Sequence, residues 1–289
     1  MKLNYLLIAG AMIGLTVQSC GESKEETTTE KKAADQTETV IEVEEADENS
    51  FSFVPPSPIQ IASIFKKAGL EYDATLPNKV ENITNYTEKF KQSLNFGVYS
   101  SDLAYCVKNE KYDEASKYLK SLKDLSASIG LETVFASEDL VERFNNNLGN
   151  QDSIVDILIF VQENTDDYIA QNGKVDLSVV YYCGAWVEGM YFGSVSAKNS
   201  PEKADLGVLI SEQMTIGRSI LKGLQNMEES NLDAEDLATS IEEILDLFDN
   251  FESVKALGED AAYLDIYLTE EEVNIMADKI IELRTSIVE

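Results

Sequence analysis

Histidine is absent from all 289 residues. That removes the commonest general base and the commonest metal ligand near neutral pH, and it makes a serine–histidine–aspartate triad impossible. Cysteine occurs three times, never as CxxC, so neither a zinc ribbon nor a dithiol redox motif is present. The phosphate-binding patterns GxxxxGK and GxGxxG are missing, as are HExxH and the GxSxG elbow. "DAEDLATSIEE" lacks the glycine turn and ligand spacing of an EF-hand. No metal, cofactor or catalytic residue is expected. Positive charge is scarce: 23 Lys and Arg stand against 53 Asp and Glu, a formal charge of −30. Such a chain repels nucleic-acid phosphates and anionic lipid head groups. Among so many carboxylates, pairs of the kind used in glycosidic hydrolysis arise by abundance alone.

What is present begins at the N-terminus. Met1-Lys2 precedes "LLIAGAMIGLTV", which ends at Gln18-Ser19-Cys20. A short basic start, an apolar run and a small residue before the cleavage point make a secretory signal. The run is shorter than the about 20 residues a spanning helix needs. Val17-Gln18-Ser19-Cys20 resembles a bacterial lipobox, with Gln18 bulkier than usual. The expectation is a signal peptide over residues 1–19 and acyl chains on Cys20, the contact with a membrane. Residues 20–53 then form the lipidated cysteine and a disordered acidic linker: Gly21 to Phe53 holds eleven acidic and three basic residues. Such a segment cannot bury enough apolar surface to offset its ordering entropy. "SKEE" at Ser23 to Glu26 reads either as a plain solvated tether or as resembling the export signal of Bacteroidota surface lipoproteins. The chain is therefore expected in the cell envelope, lipid-anchored at the outer membrane on its surface or periplasmic face. Cys106 and Cys183 both lie in apolar helical stretches, where reduced core thiols are expected.

Residues 54–289 read as one helical domain. Ser57-Pro58 supplies an N-cap followed by proline at the first helical position. Ala115, Leu119, Leu122, Ser126 and Ile129 recur at steps of four and three, and Gly130 follows as a stop. Ser137, Asn150 and Ser200-Pro201 open further helices, and Gly173 closes one. Leu237, Ile241, Ile244, Phe248 and Phe251 form one stripe, and Val273, Met276, Ile280, Leu283 and Ile287 another. A Thr269–Glu272 capping box stands before the second. No window alternates with a period of two, so no sheet is expected. The prediction is an all-α, multi-helix antiparallel bundle of helical hairpins, about eight to ten helices in all.

Sliding the chain by 87 residues sets Gly97 on Gly184, Tyr99 on Trp186, Leu103 on Met190, Tyr105 on Phe192, and Ile129-Gly130 on Ile216-Gly217. This suggests an internal duplication of a helical hairpin about a pseudo-two-fold axis. The period is too long for a tetratricopeptide repeat. "LNFGVYSSDLAYC", "LVERFNNNLGNQDSI" and "GAWVEGMYFG" resemble recurring blocks of an uncharacterised family of helical lipoproteins of the Bacteroidota, over about residues 55 to 230. The resemblance implies an exported all-helical domain and carries no catalytic residue.

One apolar helix stands out, Val179 to Val195, with Glu188 as its single charge and Gly184, Gly189 and Gly193 for close helix approach. The matching helix carries Asp102. Buried carboxylates need partners, and Arg143 and Arg218 lie in helices that could reach them. Two readings follow: a polar pocket rimmed by Tyr99, Tyr105, Trp186 and Tyr191, or a structural ion pair or a helix face open to water, with those aromatics as ordinary core. The function expected is that of a membrane-anchored, non-enzymatic module binding a protein, peptide or small molecule, with no nucleic-acid partner. A carboxylate-dependent hydrolase or carbohydrate-active enzyme is the first alternative, and a purely structural envelope protein the second.

Overall fold

Ser57 and Pro58 open the first helix where the sequence places it, with Gln60 completing a capping box. The structure, a computed structural model, describes residues 56–136, 140–199, 204–227, 232–256 and 266–289. The expected signal peptide, Cys20, the expected linker and the expected caps at Ser137 and Ser200-Pro201 lie outside these residues. Helix α1 spans Pro58–Lys67, and a loop with a 3-10 turn at Val80–Asn85 leads to α2, Lys89–Lys108. There follow α3 (Tyr112–Ile129), α4 (Glu132–Phe135), α5 (Leu140–Asn146), α6 (Gln151–Gln171) and α7 (Val175–Asn199). The last are α8 (Ala204–Gln225), α9 (Leu232–Asp249), α10 (Glu252–Lys255) and α11 (Glu270–Val288). No strand occurs among the described residues. Among the described residues, eight of the eleven α-helices have ten or more residues; eleven exceeds the expected eight to ten because α4, α5 and α10 are short turns beside loops, below the reach of periodicity.

Local signals act as predicted. Gly130 ends α3 in the left-handed region at φ 80°, which a β-carbon disfavours. The Asn150 side chain accepts the Ser153 N–H at the start of α6, and Thr269 and Glu272 close a reciprocal box before α11. The all-α bundle of helical hairpins is what folds: α2 turns straight back into α3, and short connections make antiparallel neighbours.

The centre of the bundle is α2 against α7, which are distant in sequence and run in the same direction. Gly97 faces Tyr181 and Ala185, Ser101 Oγ donates to the Ala185 carbonyl at 2.8 Å, and Tyr105 stacks on Phe192 with ring centroids 4.4 Å apart. A β-carbon on Gly97 would overlap the Tyr181 carbonyl oxygen and sit 2.7 Å from the Ala185 nitrogen. One on Gly184 would overlap the Leu94 carbonyl oxygen and sit 3.3 Å from the Val98 nitrogen. The contacts are reciprocal: 94, 97 and 98 correspond to 181, 184 and 185 at the offset of 87. Gly189 and Gly193 make room for Ile61 and Phe65 of α1.

The central pair divides the core. Tyr99, Leu103 and Cys106 of α2 join Tyr181 and Tyr182 of α7 in a cluster completed by α3 and α6. Leu94, Val98 and Tyr105 of α2 join Trp186, Val187 and Met190 of α7 in a second, completed by α8, α9 and α11. Cys106 and Cys183 are free and fully buried, and burial pushes both thiols up, as expected of core cysteines. No described helix is long and apolar enough to cross a membrane.

Gly184→Ala should force α2 and α7 apart. Overpacking a tight interior costs about 1–3 kcal/mol, and backbone atoms cannot rotate away as a side chain can. Urea unfolding is the measurement; a stability equal to wild type would mean the two backbones are not in contact at Gly184.

Candidate functional site

Glu188 lies midway along α7, where every neighbour in the helix is apolar or small. It is fully buried. Its partner is neither Arg143 nor Arg218 but Arg284 of α11. The Arg284 Nε donates to Glu188 Oε2 at 2.9 Å and Nη2 donates to Oε1 at 3.0 Å, a bidentate pair. The guanidinium lies 4.4 Å from the Tyr191 ring centre, a cation–π contact, and Nη2 also reaches the Leu76 carbonyl at 3.3 Å. Burial works against the arginine's charge, but Glu188, with smaller help from Asp102 and Tyr191, raises its basicity on balance. Arg143 instead sits over the Phe160 ring, and Arg218 pairs with Asp249 at 2.6 Å, where both side chains are about two-fifths or more exposed. Those two arginines lie on helix faces turned outward, so their reach along the sequence was misleading.

Asp102 of α2 is equally buried and lies beside Glu188, with which its carboxyl interacts. Its Oδ1 accepts the Asn78 N–H at 3.3 Å, while no donor reaches Oδ2 among the described residues. Burial raises the Asp102 carboxyl well above the usual carboxylate range; the Glu188 charge acts the same way, and Arg284 and the Asn78 N–H act against it.

The loop from Leu70 to Lys79 covers this cluster, held by polar contacts. Tyr105 hydroxyl donates to the Glu71 carbonyl and accepts the Asp73 N–H. Tyr99 donates to Lys79 and Tyr118 to Asn78. Tyr86 hydroxyl donates to the Val288 carbonyl, and Asn95 donates to that of Ile287, which fastens the end of α11 against the 3-10 turn and α2. Trp186 points the other way and donates to the Gln213 carbonyl of α8 at 3.2 Å. The aromatics therefore do not face one chamber: Tyr191 is beside Arg284, Tyr99 packs toward α3, Tyr105 stacks between Tyr72 and Phe192, and Trp186 belongs to the α8 side.

An apolar groove opens elsewhere. Between α1, α2, α3 and α6 lies a cavity of about 50 Å³, walled by Phe96, Leu103, Leu119, Leu122, Phe135 and Leu158. Ser57, Ser100, Gln162, Thr165 and Tyr181 add polar groups to its lining. Gln162 donates to both Tyr181 and Tyr182, and both tyrosines donate to Asp166. A second cavity of about 150 Å³ lies among α2, α9 and α11, beside Lys91, Asp233 and Asp236, and a third of about 10 Å³ adjoins Tyr105 and Gly189. None of the three has Glu188 or Asp102 in its wall. No cluster of acidic or cysteine side chains among the described residues could hold a metal ion.

Arg284 is the residue that sequence reasoning missed. It lies four residues after Ile280 and three before Ile287, on the edge of the apolar stripe of α11, and that spacing was the available signal. Arg284→Met should leave two buried carboxyl groups without a cation, a loss of about 3–5 kcal/mol in urea unfolding. Arg218→Met should cost about 0–1 kcal/mol, because its pair is exposed. Equal losses in the two variants would refute the assignment of Arg284 as the buried partner.

No protein-family model matches the chain, and no curated protein or solved structure matches it either, so its function is argued from its own residues.

Proposed function

We propose that this chain is a lipid-anchored, non-enzymatic binding module of the cell envelope, one of the helical Bacteroidota lipoproteins it resembles. Cys20 tethers it to the outer membrane, the acidic linker holds the body away from the anionic surface, and the helical domain takes the apolar end of a peptide. The groove between α1, α2, α3 and α6 carries this reading. Its lining is mostly apolar with a few hydrogen-bonding side chains, Gln162 and Tyr181 among them, the usual make-up of a site that admits an aliphatic group and orients the polar chain attached to it. Its volume suits a branched aliphatic side chain rather than a larger ring system. The reciprocal contact at Gly97 and Gly184 supports reading the two hairpins as a duplication, with the groove on one flank of the central pair.

A carboxylate-dependent hydrolase needs two acids open to substrate and water. Asp102 and Glu188 converge, but both have 0% exposure and Arg284 lies against one of them, which favours a structural task for that pair.

Two measurements test the proposal. Cys20→Ala should move the protein from the membrane pellet to the soluble fraction and leave its signal peptide uncleaved at that site; unchanged processing and pelleting would refute the anchor. N-acetyl-leucinamide should shift the NMR methyl signals of Leu103, Leu122 and Leu158, whereas N-acetyl-glycinamide should not. Leu158→Phe, which fills the cavity, should abolish the shifts. No shift in wild type, or equal shifts in Leu158→Phe, would remove the groove as the site.

A further inference from the structure

We infer that Asp102 is folded in as a neutral acid that shares its proton with Glu188, so that carboxyl, carboxylate and guanidinium groups join α2, α7 and α11 in one buried chain. The first ground is charge. Asp102 and Glu188 both have 0% exposure, and Arg284 is the one cation that reaches them among the described residues. One guanidinium balances one carboxylate. A second isolated negative charge in a dry interior is so costly that the group takes up a proton instead.

The second ground is the supply of donors. A hydroxyl has a single hydrogen, and those around Asp102 are already committed. Tyr99 gives its hydrogen to the Lys79 carbonyl at 2.9 Å, Tyr118 to Asn78 at 2.9 Å, Tyr86 to Val288 at 3.1 Å, and Ser101 to Ala185 at 2.8 Å. Among the described residues, Asp102 Oδ1 receives only the Asn78 N–H, at 3.3 Å, and Oδ2 receives no donor. Protonation turns the carboxyl from an acceptor short of donors into a donor, and Glu188 is the carboxylate that interacts with it. Glu188 can receive it, since a carboxylate has about four lone-pair sites and Arg284 occupies two.

The other titratable groups facing Asp102 do not alter the balance. Tyr99 and Cys106 of α2, Tyr118 of α3, Tyr86 beside the 3-10 turn and Tyr191 of α7 are all pushed up by burial, and so stay uncharged near neutral pH. The direction of the Asp102 shift agrees: burial raises it, Glu188 raises it further, and Arg284 lowers it only in part.

The consequence runs opposite to ordinary acid denaturation. Asp102 has an ordinary carboxyl pKa when unfolded and a raised one when folded. Its contribution to stability is complete below the ordinary range and is lost as pH rises toward the folded value. At neutral pH folding takes one proton from solvent, and the junction of α11 with α2 and α7 loosens toward alkaline pH.

The experiment is infrared spectroscopy of the whole protein at neutral pH, with aspartate labelled by carbon-13. Wild type should show the carbonyl stretch of a neutral carboxyl group, moved by the aspartate label and missing in Asp102→Asn. In thermal melts, Asp102→Asn, whose amide donates to Glu188 at any pH, should match or exceed wild type at about pH 8, and the difference should shrink or reverse toward about pH 5. A wild-type spectrum with no neutral aspartate carboxyl at neutral pH overturns the inference, even if the variant fails to fold. So does a neutral band that persists in Asp102→Asn, or one moved by glutamate labelling alone.

Discussion

Two backbones in contact, α2 at Gly97 and α7 at Gly184, set the terms for the rest of this domain. Helices bearing ordinary side chains keep their axes about 8–10 Å apart. A glycine on each, facing the other's carbonyl oxygen, removes the side-chain layer between them. That approach lets Ser101 bond to the Ala185 carbonyl and sets Tyr105 face to face with Phe192. It also leaves Asp102 and Glu188 no route to solvent. The polar cluster is a consequence of the crossing: once the helices are this close, their two acids share one dry space, and a cation must come from elsewhere.

Arg284 supplies that cation, and in doing so the last helix becomes part of the centre. Buried pairs are a weak source of net stability, because desolvation offsets most of the Coulomb attraction, yet losing one member is severe. Such an arrangement penalises wrong packing more than it rewards right packing. Of the three arginines, two lie toward the surface, where an ion pair contributes about 0–1 kcal/mol. Only the third is placed where its absence would leave a charge stranded. Around it, the backbone carbonyls at the end of α11 are taken by Tyr86 and Asn95, so the helix is held along its axis as well as across it. Lys198 with Asp278 and Lys279 with Glu243 add exposed pairs farther out on the same helix.

Much of the fold was legible because its signals are local. Ser57-Pro58, Gly130, Asn150 and the Thr269–Glu272 box act through backbone groups within a few residues, and each marks a helix end in the structure. The stripes of α9 and α11 and the isolation of Glu188 in an apolar run also needed only the period of one helix. The partner of Glu188 was not legible. Arg143 and Arg218 lie in helices that could have reached it, but α11 returns from the far end to pack against α7, and its Arg284 meets an acid 96 residues away in the chain.

The residues themselves determined that the domain from about residue 56 onward is helical, that histidine-based chemistry is closed to it, and that a charge near the middle of α7 would need an answer. These follow from side-chain chemistry and from periods of three to four residues, which act before distant segments meet. Tertiary structure alone decided that α2 and α7 run parallel at backbone contact, that their acids are sealed from water, and that the answering charge is Arg284. The physical reason is that burial and pairing belong to the space between helices: a carboxyl group's environment is set by whichever surfaces close over it, and those came from both ends of the domain.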